Sequence, residues 1–281
     1  ARWAAWALLL AGVASADVLL EGEPAGFRMV GRIAVGFLGM KAIVSVETRL
    51  DKGILLPAGR WFGFALGWPG MRPALFARRD PETRAGAWRL AHMGAVRLAI
   101  GFASIAAASV VWRSSGNRLL ATVPLLVGLS LCLHFGLANL LAAAWRAVGF
   151  PAEPLFKAPL LATSLGEFWS RRWNLAYSEM TAIGVYRPLS AVAGKRVATV
   201  VAFFFSGALH ELAISLPVRA GYGLPTLYFV LHGVLVLHER ARPIGGRAGR
   251  LWCIAWLVLP MPILFHPWFL EGVVWPIVGI H

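Results

Sequence analysis

A series of long apolar runs limits what this chain can fold into more than any other feature. The runs follow one another between short polar segments and cover residues 3–20, 33–46, 54–67, 90–112, 119–145, 197–218, 224–237, 251–265 and 268–280. Only 14% of the 281 residues are charged and 58% are hydrophobic, whereas about a quarter of a soluble domain is charged. A bilayer is the solvent that accepts so much apolar surface. We therefore predict an all-α, polytopic integral membrane protein.

Several of these runs are shorter than the roughly 20 residues that a straight membrane span needs. Some of them are therefore predicted to be broken, tilted or re-entrant helices packed inside the protein. We expect about eight transmembrane helices, with roughly six and ten as the limits. No internal repeat or flexible linker divides the chain, so residues 1–281 are predicted to form a single membrane domain.

The basic residues are dispersed in short clusters, although the net charge is +14. The clusters at 72–89, 146–196 and 240–250 fall on one side of the membrane if the intervening runs cross it in pairs. The positive-inside rule then places them in the cytoplasm, where they would attract an anionic acyl carrier such as coenzyme A. We predict no nucleic-acid partner, and we infer a bacterial inner membrane from the Ala-, Arg- and Gly-rich composition. The oligomeric state is left open.

One cluster of aromatic and basic residues follows a predicted helix start, in which Ser164 and Glu167 have the spacing of a capping box. With α-helical spacing, Trp169 and Trp173 share one face and Arg171 and Asn174 share another. Rings interleaved with guanidinium groups suit a ligand with an apolar chain and a phosphate-rich head. The same pattern also fits an interfacial helix that is anchored in lipid headgroups.

A second cluster places ionisable groups in the middle of the apolar run 197–218. Its members are Ser206, Gly207, His210 and Glu211. Charged groups at membrane depth are costly and normally face an interior cavity or a partner. Imidazole is suited to removing a proton from a hydroxyl group near neutral pH. His210 is therefore the candidate base, although an intramembrane histidine can also serve as a structural hydrogen-bond donor.

A third set lies on one predicted helix face, where His232 and Glu239 are seven residues apart. The pair could contact His210 across the bundle, or Glu239 and the neighbouring His238 could mark a helix end at the membrane surface. No convergence of histidine and acidic residues indicates a metal site. Cys132 and Cys253 lie in apolar runs and are expected to behave as small buried hydrophobes.

Residues 164–239 resemble the wax-synthase domain of the membrane-bound O-acyltransferase superfamily. Three motifs in order carry the resemblance: Phe168-Trp169-Ser170-Arg171-Arg172-Trp173-Asn174, then Ser206-Gly207-Ala208-Leu209-His210-Glu211, then His232-Gly233 followed by Glu239. Related sterol and diacylglycerol acyltransferases have an acidic residue where Arg171 stands, so the resemblance favours the wax-synthase branch. The chain is short for the superfamily.

The resemblance implies transfer of a fatty acyl group from acyl-CoA to a long-chain alcohol in an intramembrane tunnel. It implies that His210 is the general base and that Asn174 positions substrate or polarises the thioester carbonyl. The residues implied in substrate binding are Phe168, Trp169, Arg171, Arg172, Trp173, Ser206, Glu211 and His232. Acyl-CoA is then a substrate, and no cofactor or metal is implied. Two alternatives stay open: an O-acyltransferase for a carbohydrate or another small hydroxyl compound, and a transporter that uses His210 and Glu211 as a proton relay.

Overall fold

The computed structural model describes residues 1–280, and within that range it contains helices and turns but no β-strand. This confirms the predicted all-α class. The α-helices in chain order are α1 Arg2–Leu19, α2 Ala25–Lys52, α3 Ala58–Gly67, α4 Ala87–Ser115, α5 Arg118–Ser130, α6 Ala138–Ala147, α7 Leu165–Glu167, α8 Leu175–Thr181, α9 Arg187–Ala213, α10 Ser215–Val218, α11 Leu224–Ala241, α12 Gly246–Val258, α13 Met261–Leu264 and α14 Pro267–Phe269.

Short π-helical and 3₁₀-helical segments lie between several of these α-helices. The π-helical segments are Leu131–Leu137, Phe168–Arg172, Ala182–Tyr186 and Leu270–Val274. The 3₁₀ segments are Pro73–Phe76, Pro81–Arg84, Pro159–Leu161 and Trp275–Val278. π-helical turns are rare and occur frequently at functional sites, and the segment Phe168–Arg172 lies within the aromatic and basic cluster noted above.

In residues 1–280, six helical runs are long and apolar enough to cross a membrane. They are Arg2–Leu19, Ala25–Lys52, Pro81–Ser115, Arg118–Ala147, Leu175–Val218 and Gly246–Leu264. The chain is therefore an integral membrane protein, but the described helices give six spans by length and composition rather than the expected eight. The predicted run 54–67 contains only the ten residues of α3, and Pro267–Val278 is also short.

The stretch 149–196, which holds most of the second basic cluster, is helical over much of its second half. Helix α8, the π-helical segment Ala182–Tyr186 and α9 follow one another without a loop. The chain departs from helical geometry within α9 at Gly194, whose φ of 81° and ψ of 162° suit a residue without a Cβ. Lys195 and Arg196, two basic residues of this cluster, are exposed on the helical run.

Contacts within the chain group residues into two compact units. The second unit comprises residues 54–156 and 274–280. Its helices α4 and α5 approach closely at two glycines, since a Cβ on Gly128 would lie 2.7 Å from the carbonyl oxygen of Gly101. Trp275 connects the C-terminal part of this unit to α5, since its indole N–H donates to Oγ1 of Thr122 over 2.8 Å.

The first unit comprises residues 1–53 and 157–273. Its centre is an antiparallel pair formed by α9 and α11, with Glu211 bonded to Thr226 at one end and Thr199 bonded to Arg240 at the other. Helix α2 also packs against α9. The α9–α11 pair positions most of the candidate residues named above.

Gly207 is the residue at which α9 approaches α11 most tightly. A Cβ built there would lie 2.6 Å from the Cα of Thr226, and a backbone atom cannot move aside as a side chain can. We expect Gly207→Ala to lower the free energy of unfolding by about 1–3 kcal/mol, as overpacking does elsewhere. Thermal unfolding in detergent measures the effect. Gly36→Ala on α2 is the control, because nothing lies within 4 Å of a Cβ there; equal stability of the two variants would contradict the prediction.

Candidate active site

A cavity of about 360 Å³ lies inside the first unit, between α9, α11 and the segment that runs from α7 to the π-helical turn after α8. Its lining combines aromatic rings with hydroxyl, amide, imidazole and guanidinium groups. The lining residues are Gly166, Trp169, Ser170, Trp173, Asn174, Tyr177, Ser178, Thr181, Ala182, Tyr186, Thr199, Ala202, Phe203, Ser206, His210, Phe229, Val236 and Arg240. Asn174 and His210, the two residues predicted to be catalytic, are therefore brought to the same cavity.

The imidazole of His210 is held in one tautomer by its own helix. Its Nδ1 lies 2.7 Å from the backbone carbonyl oxygen of Ser206. A carbonyl can only accept, so Nδ1 carries the proton and Nε2 keeps its lone pair in the neutral ring. In the part of the chain that the structure describes, no hydrogen-bond partner is recorded for Nε2. The ring packs on Phe229, with 4.1 Å between ring centroids. The arrangement leaves Nε2 as a proton acceptor.

Tyr177 reinforces this arrangement and was not identified from the sequence. Its hydroxyl donates to the same Ser206 carbonyl over 3.2 Å, so one oxygen accepts hydrogen bonds from both side chains. The Ser206 hydroxyl instead donates to the carbonyl of Ala202, one turn earlier in α9. Ser206 therefore lines the cavity, as predicted, but it contacts His210 through its backbone oxygen.

Asn174 is oriented by a change in backbone direction. The π-helical turn ends at Trp173, which is extended, and Asn174 adopts the left-handed conformation with φ of 41°. Asparagine tolerates this conformation better than most residues. Its Oδ1 accepts the backbone N–H of Tyr177 over 3.3 Å and so caps α8. Because the amide oxygen is engaged there, the two amide N–H groups of Asn174 are available as donors on the cavity.

The aromatic residues of the π-helical turn make contacts that α-helical spacing does not predict. Within the π-helical turn, Phe168 stacks on Trp173, five residues later, at 5.5 Å and 14° between the rings. Trp169 instead meets Phe229 and His232, at 5.3 Å and 5.5 Å. Trp169 and Trp173 both line the cavity, whereas Phe168 is buried behind them. The wider turn is the physical reason, because a π-helix brings residues i and i+5 together.

Neither Arg171 nor Arg172 lines the cavity, and their predicted role in substrate binding stays a prediction. The Nε of Arg172 donates to Glu167 over 2.7 Å, and its Nη1 donates to the carbonyls of Lys157 and Ala158. Arg171 is exposed outside the cavity. The guanidinium of Arg172 is thus used to hold the chain before α7 in place.

The predicted capping box is present in a modified form. The Ser164 hydroxyl accepts the backbone N–H of Glu167 over 3.0 Å, while the Glu167 carboxylate accepts the N–H and hydroxyl of Thr163. The hydrogen bond from the Thr163 N–H, with a further contribution from Arg172, holds the pKa of Glu167 below its usual value. Both side chains thus stabilise the start of α7, as capping residues do.

Glu211 does not line the cavity with His210, and its predicted role in substrate binding stays a prediction. Its Oε1 accepts three hydrogen bonds at the start of α11, from the N–H of Gly223 and from the N–H and hydroxyl of Thr226, at 2.9–3.0 Å. Free N–H groups at a helix N-terminus attract a carboxylate. Glu211 therefore links α9 to α11. Its side chain points away from that of His210, because adjacent residues of a helix point in different directions.

His232 and Glu239 do not form the pair that their spacing suggested, and neither lines the cavity. The fully buried His232 has Nδ1 2.8 Å from the Tyr228 carbonyl and Nε2 3.1 Å from the Trp256 carbonyl. Glu239 is also buried and accepts the first two N–H groups of α7, those of Leu165 and Gly166. It thereby fixes the chain segment from which Trp169, Trp173 and Asn174 project.

Comparison with known proteins bears on the same part of the chain. Residues 152–231 match the model of the membrane bound O-acyl transferase family. This stretch includes the π-helical turn, α8, α9 and the start of α11, and hence both Asn174 and His210. The predicted resemblance to membrane-bound O-acyltransferases is therefore confirmed for a segment that contains all but two of the residues lining the cavity, the exceptions being Val236 and Arg240.

Relatives of known name point to the predicted branch of the family. The chain is 33% identical over 176 residues to "Probable long-chain-alcohol O-fatty-acyltransferase 9" of Arabidopsis thaliana, which covers 53% of this chain and 52% of the relative. It is 37% identical over 123 residues to "Long-chain-alcohol O-fatty-acyltransferase" of Simmondsia chinensis, covering 38% of this chain and 35% of the relative. The chain spans about half the length of the first relative and less of the second. The names confirm the predicted wax-synthase type of the resemblance.

Proposed function

We propose that this chain transfers a fatty acyl group from an acyl thioester to a long-chain alcohol, which produces a wax ester. The observation that carries the proposal is the unpartnered Nε2 of His210 on a cavity shared with the amide of Asn174, in a segment that matches the model of the membrane bound O-acyl transferase family. The names of the similar plant proteins support a fatty acyl donor and a long-chain alcohol acceptor.

The proposed reaction needs one base and one donor of hydrogen bonds. Nε2 of His210 takes the hydroxyl proton of the alcohol while the alcohol oxygen attacks the thioester carbonyl carbon. The amide N–H groups of Asn174 donate to the oxygen that becomes negative. The intermediate then expels the thiolate, which takes the proton back from His210, so the products are an ester and a free thiol. A thioester is already activated, so the reaction requires no metal or cofactor.

The lining favours an alkyl acceptor over a carbohydrate. Six aromatic rings face the cavity: Trp169, Trp173, Tyr177, Tyr186, Phe203 and Phe229. Burying an alkyl chain against such rings is favourable, whereas the hydroxyl groups of a sugar would each lose hydrogen bonds to water. The transporter alternative is less favoured, because Glu211 lies outside the cavity that His210 lines and its Oε1 accepts hydrogen bonds at the start of α11.

The location of the protein in the cell is part of the proposal. The charge distribution supports an orientation in which the basic segments face the cytoplasm, where acyl-CoA is available. A bacterial inner membrane rests on composition alone, since the similar proteins named above are from plants. Protease accessibility of tags placed at 243–245 in right-side-out and inverted vesicles would test the orientation.

Transfer can be tested with purified protein in nanodiscs, radiolabelled palmitoyl-CoA and separate acceptors: a fatty alcohol, diacylglycerol, a sterol and a sugar. We expect ester from the fatty alcohol and little from the others. Preferential esterification of the sugar would support the carbohydrate alternative. No ester with any acceptor, from protein that elutes as a single folded species, would contradict the proposal.

Asn174→Ala is expected to lower kcat by about 10²–10³, the effect of removing one donor to a developing oxyanion. The substitution also removes the cap of α8, which costs about 1 kcal/mol. Asn174→Asp separates the two effects, because its carboxylate retains the cap on Tyr177 but cannot donate. Comparable losses of kcat in both variants support the assignment, whereas an active Asn174→Asp protein would show that only the cap matters.

A further inference from the structure

Among residues 1–280, one guanidinium group lines the cavity, and it belongs to neither of the arginines in the motif Phe168–Asn174. Arg240 lies in the last turn of α11, is exposed, and contributes to the lining. One of its Nη atoms donates to Oγ1 of Thr199 over 2.9 Å, and the Thr199 hydroxyl donates in turn to the carbonyl of Lys195. This chain of hydrogen bonds orients the guanidinium at the cavity and leaves its other N–H groups available to a ligand.

Arg240 and His210 mark opposite ends of the cavity. Helices α9 and α11 are antiparallel, so Thr199 lies beside Arg240 while His210 lies beside Phe229. Thr199 and His210 are eleven residues apart on α9, as are Phe229 and Arg240 on α11. At 1.5 Å per residue this is about 16 Å along each helix, and because it is close to three full turns both residues of each pair share a face.

We propose that Arg240 binds the phosphate of the acyl carrier while the thioester lies at His210. This inference rests on the proposed function. In coenzyme A and in acyl carrier protein alike, a phosphopantetheine arm separates the thioester sulfur from the first phosphorus by about thirteen covalent bonds. An extended chain advances about 3.5 Å for every three bonds, so the arm is roughly 15 Å long. This length matches the separation of the two ends of the cavity.

The charges at this end of the first unit favour an anion. Lys195 and Arg196 are exposed on α9 about one turn before Thr199, which accepts the hydrogen bond from Arg240. The carboxylates of the same region are already engaged, since Glu239 accepts hydrogen bonds from α7 and Trp252, and Glu167 pairs with Arg172. A planar guanidinium with free N–H groups binds phosphate through two oxygens at once, which an ammonium does not.

The experiment compares donors that differ only in the carrier: palmitoyl-pantetheine, palmitoyl-phosphopantetheine, palmitoyl-CoA and palmitoyl-acyl carrier protein. Arg240→Ala is expected to raise KM for the three phosphorylated donors roughly tenfold or more, while kcat changes by less than about twofold. KM for palmitoyl-pantetheine, which has no phosphate, should match that of the native protein. Arg240→Lys should be intermediate. Arg242→Ala, an equal charge change two residues away that does not line the cavity, is the control.

Two results would overturn the inference. The first is an unchanged KM for palmitoyl-CoA in Arg240→Ala. The second is an equal rise for palmitoyl-pantetheine, which would show a general effect on the cavity.

Calorimetric binding of free CoA separates this inference from the proposed function, because it needs no transfer. A native protein that binds CoA through Arg240 but forms no ester would contradict the function and support the phosphate site. The phosphorylated donor with the lowest KM identifies the carrier.

Discussion

Replacement of His210 by alanine is expected to lower the rate of ester formation by about 10²–10⁴-fold, the usual contribution of a positioned general base. The reason is the fixed tautomer: with Nδ1–H bonded to the Ser206 carbonyl, Nε2 is the atom on the cavity that can take the alcohol proton. The measurement is kcat with palmitoyl-CoA and a fatty alcohol, because a base acts on the chemical step more than on binding.

His210→Asn distinguishes loss of the base from loss of structure. The asparagine amide can still donate to the Ser206 carbonyl, but it has no nitrogen that can accept a proton. We expect this variant to unfold at nearly the native temperature and to be as inactive as the alanine variant. His238→Asn, an exposed histidine on α11 that does not line the cavity, controls for substitution of a histidine in the same unit. Ester formation at the native rate by His210→Asn would exclude His210 as the base.

Replacement of Glu239 by alanine is expected to have the largest effect on stability, about 3 kcal/mol or more. This buried carboxylate accepts the N–H groups of Leu165, Gly166 and Trp252 at 2.8–3.0 Å. Alanine leaves these donors without an acceptor, and each unpaired buried donor costs about 1–3 kcal/mol. The melting temperature in detergent should fall markedly. Activity should fall too, because the segment that holds Trp169 and Asn174 loses its attachment to α11.

Two further variants make the test of Glu239 specific. Glu239→Gln keeps one acceptor oxygen of the same shape, so an intermediate loss of stability is expected. Glu21→Gln is the matched control, since Glu21 forms an exposed ion pair with Arg219. Exposed pairs of this kind contribute about 0–1 kcal/mol. If Glu239→Ala lowered the melting temperature no more than Glu21→Gln, the three hydrogen bonds would not stabilise the fold as proposed.

The features that could be predicted from the sequence are those that hydrophobicity or local hydrogen bonding determines. The membrane class follows from the apolar runs, because no globule of this size could bury them. The start of α7 follows from Ser164 and Glu167, whose contacts span only a few residues. That His210 faces a cavity could also be predicted, because an ionisable group in an apolar helix is costly unless it faces a cavity or a partner.

Tertiary structure decided which of the polar candidates reach the cavity. Glu211 is adjacent to His210 in sequence, yet its carboxylate bonds to Thr226 on the neighbouring helix. Arg172 belongs to the most distinctive motif, yet it pairs with Glu167, while Arg240 lines the cavity from the end of α11. Such assignments depend on the register between α9 and α11 and on the π-helical turn at Phe168–Arg172. The register between α9 and α11 cannot be predicted from local sequence, because it depends on hydrogen bonds and packing between helices that are distant in the chain. The π-helical turn depends on such contacts as well.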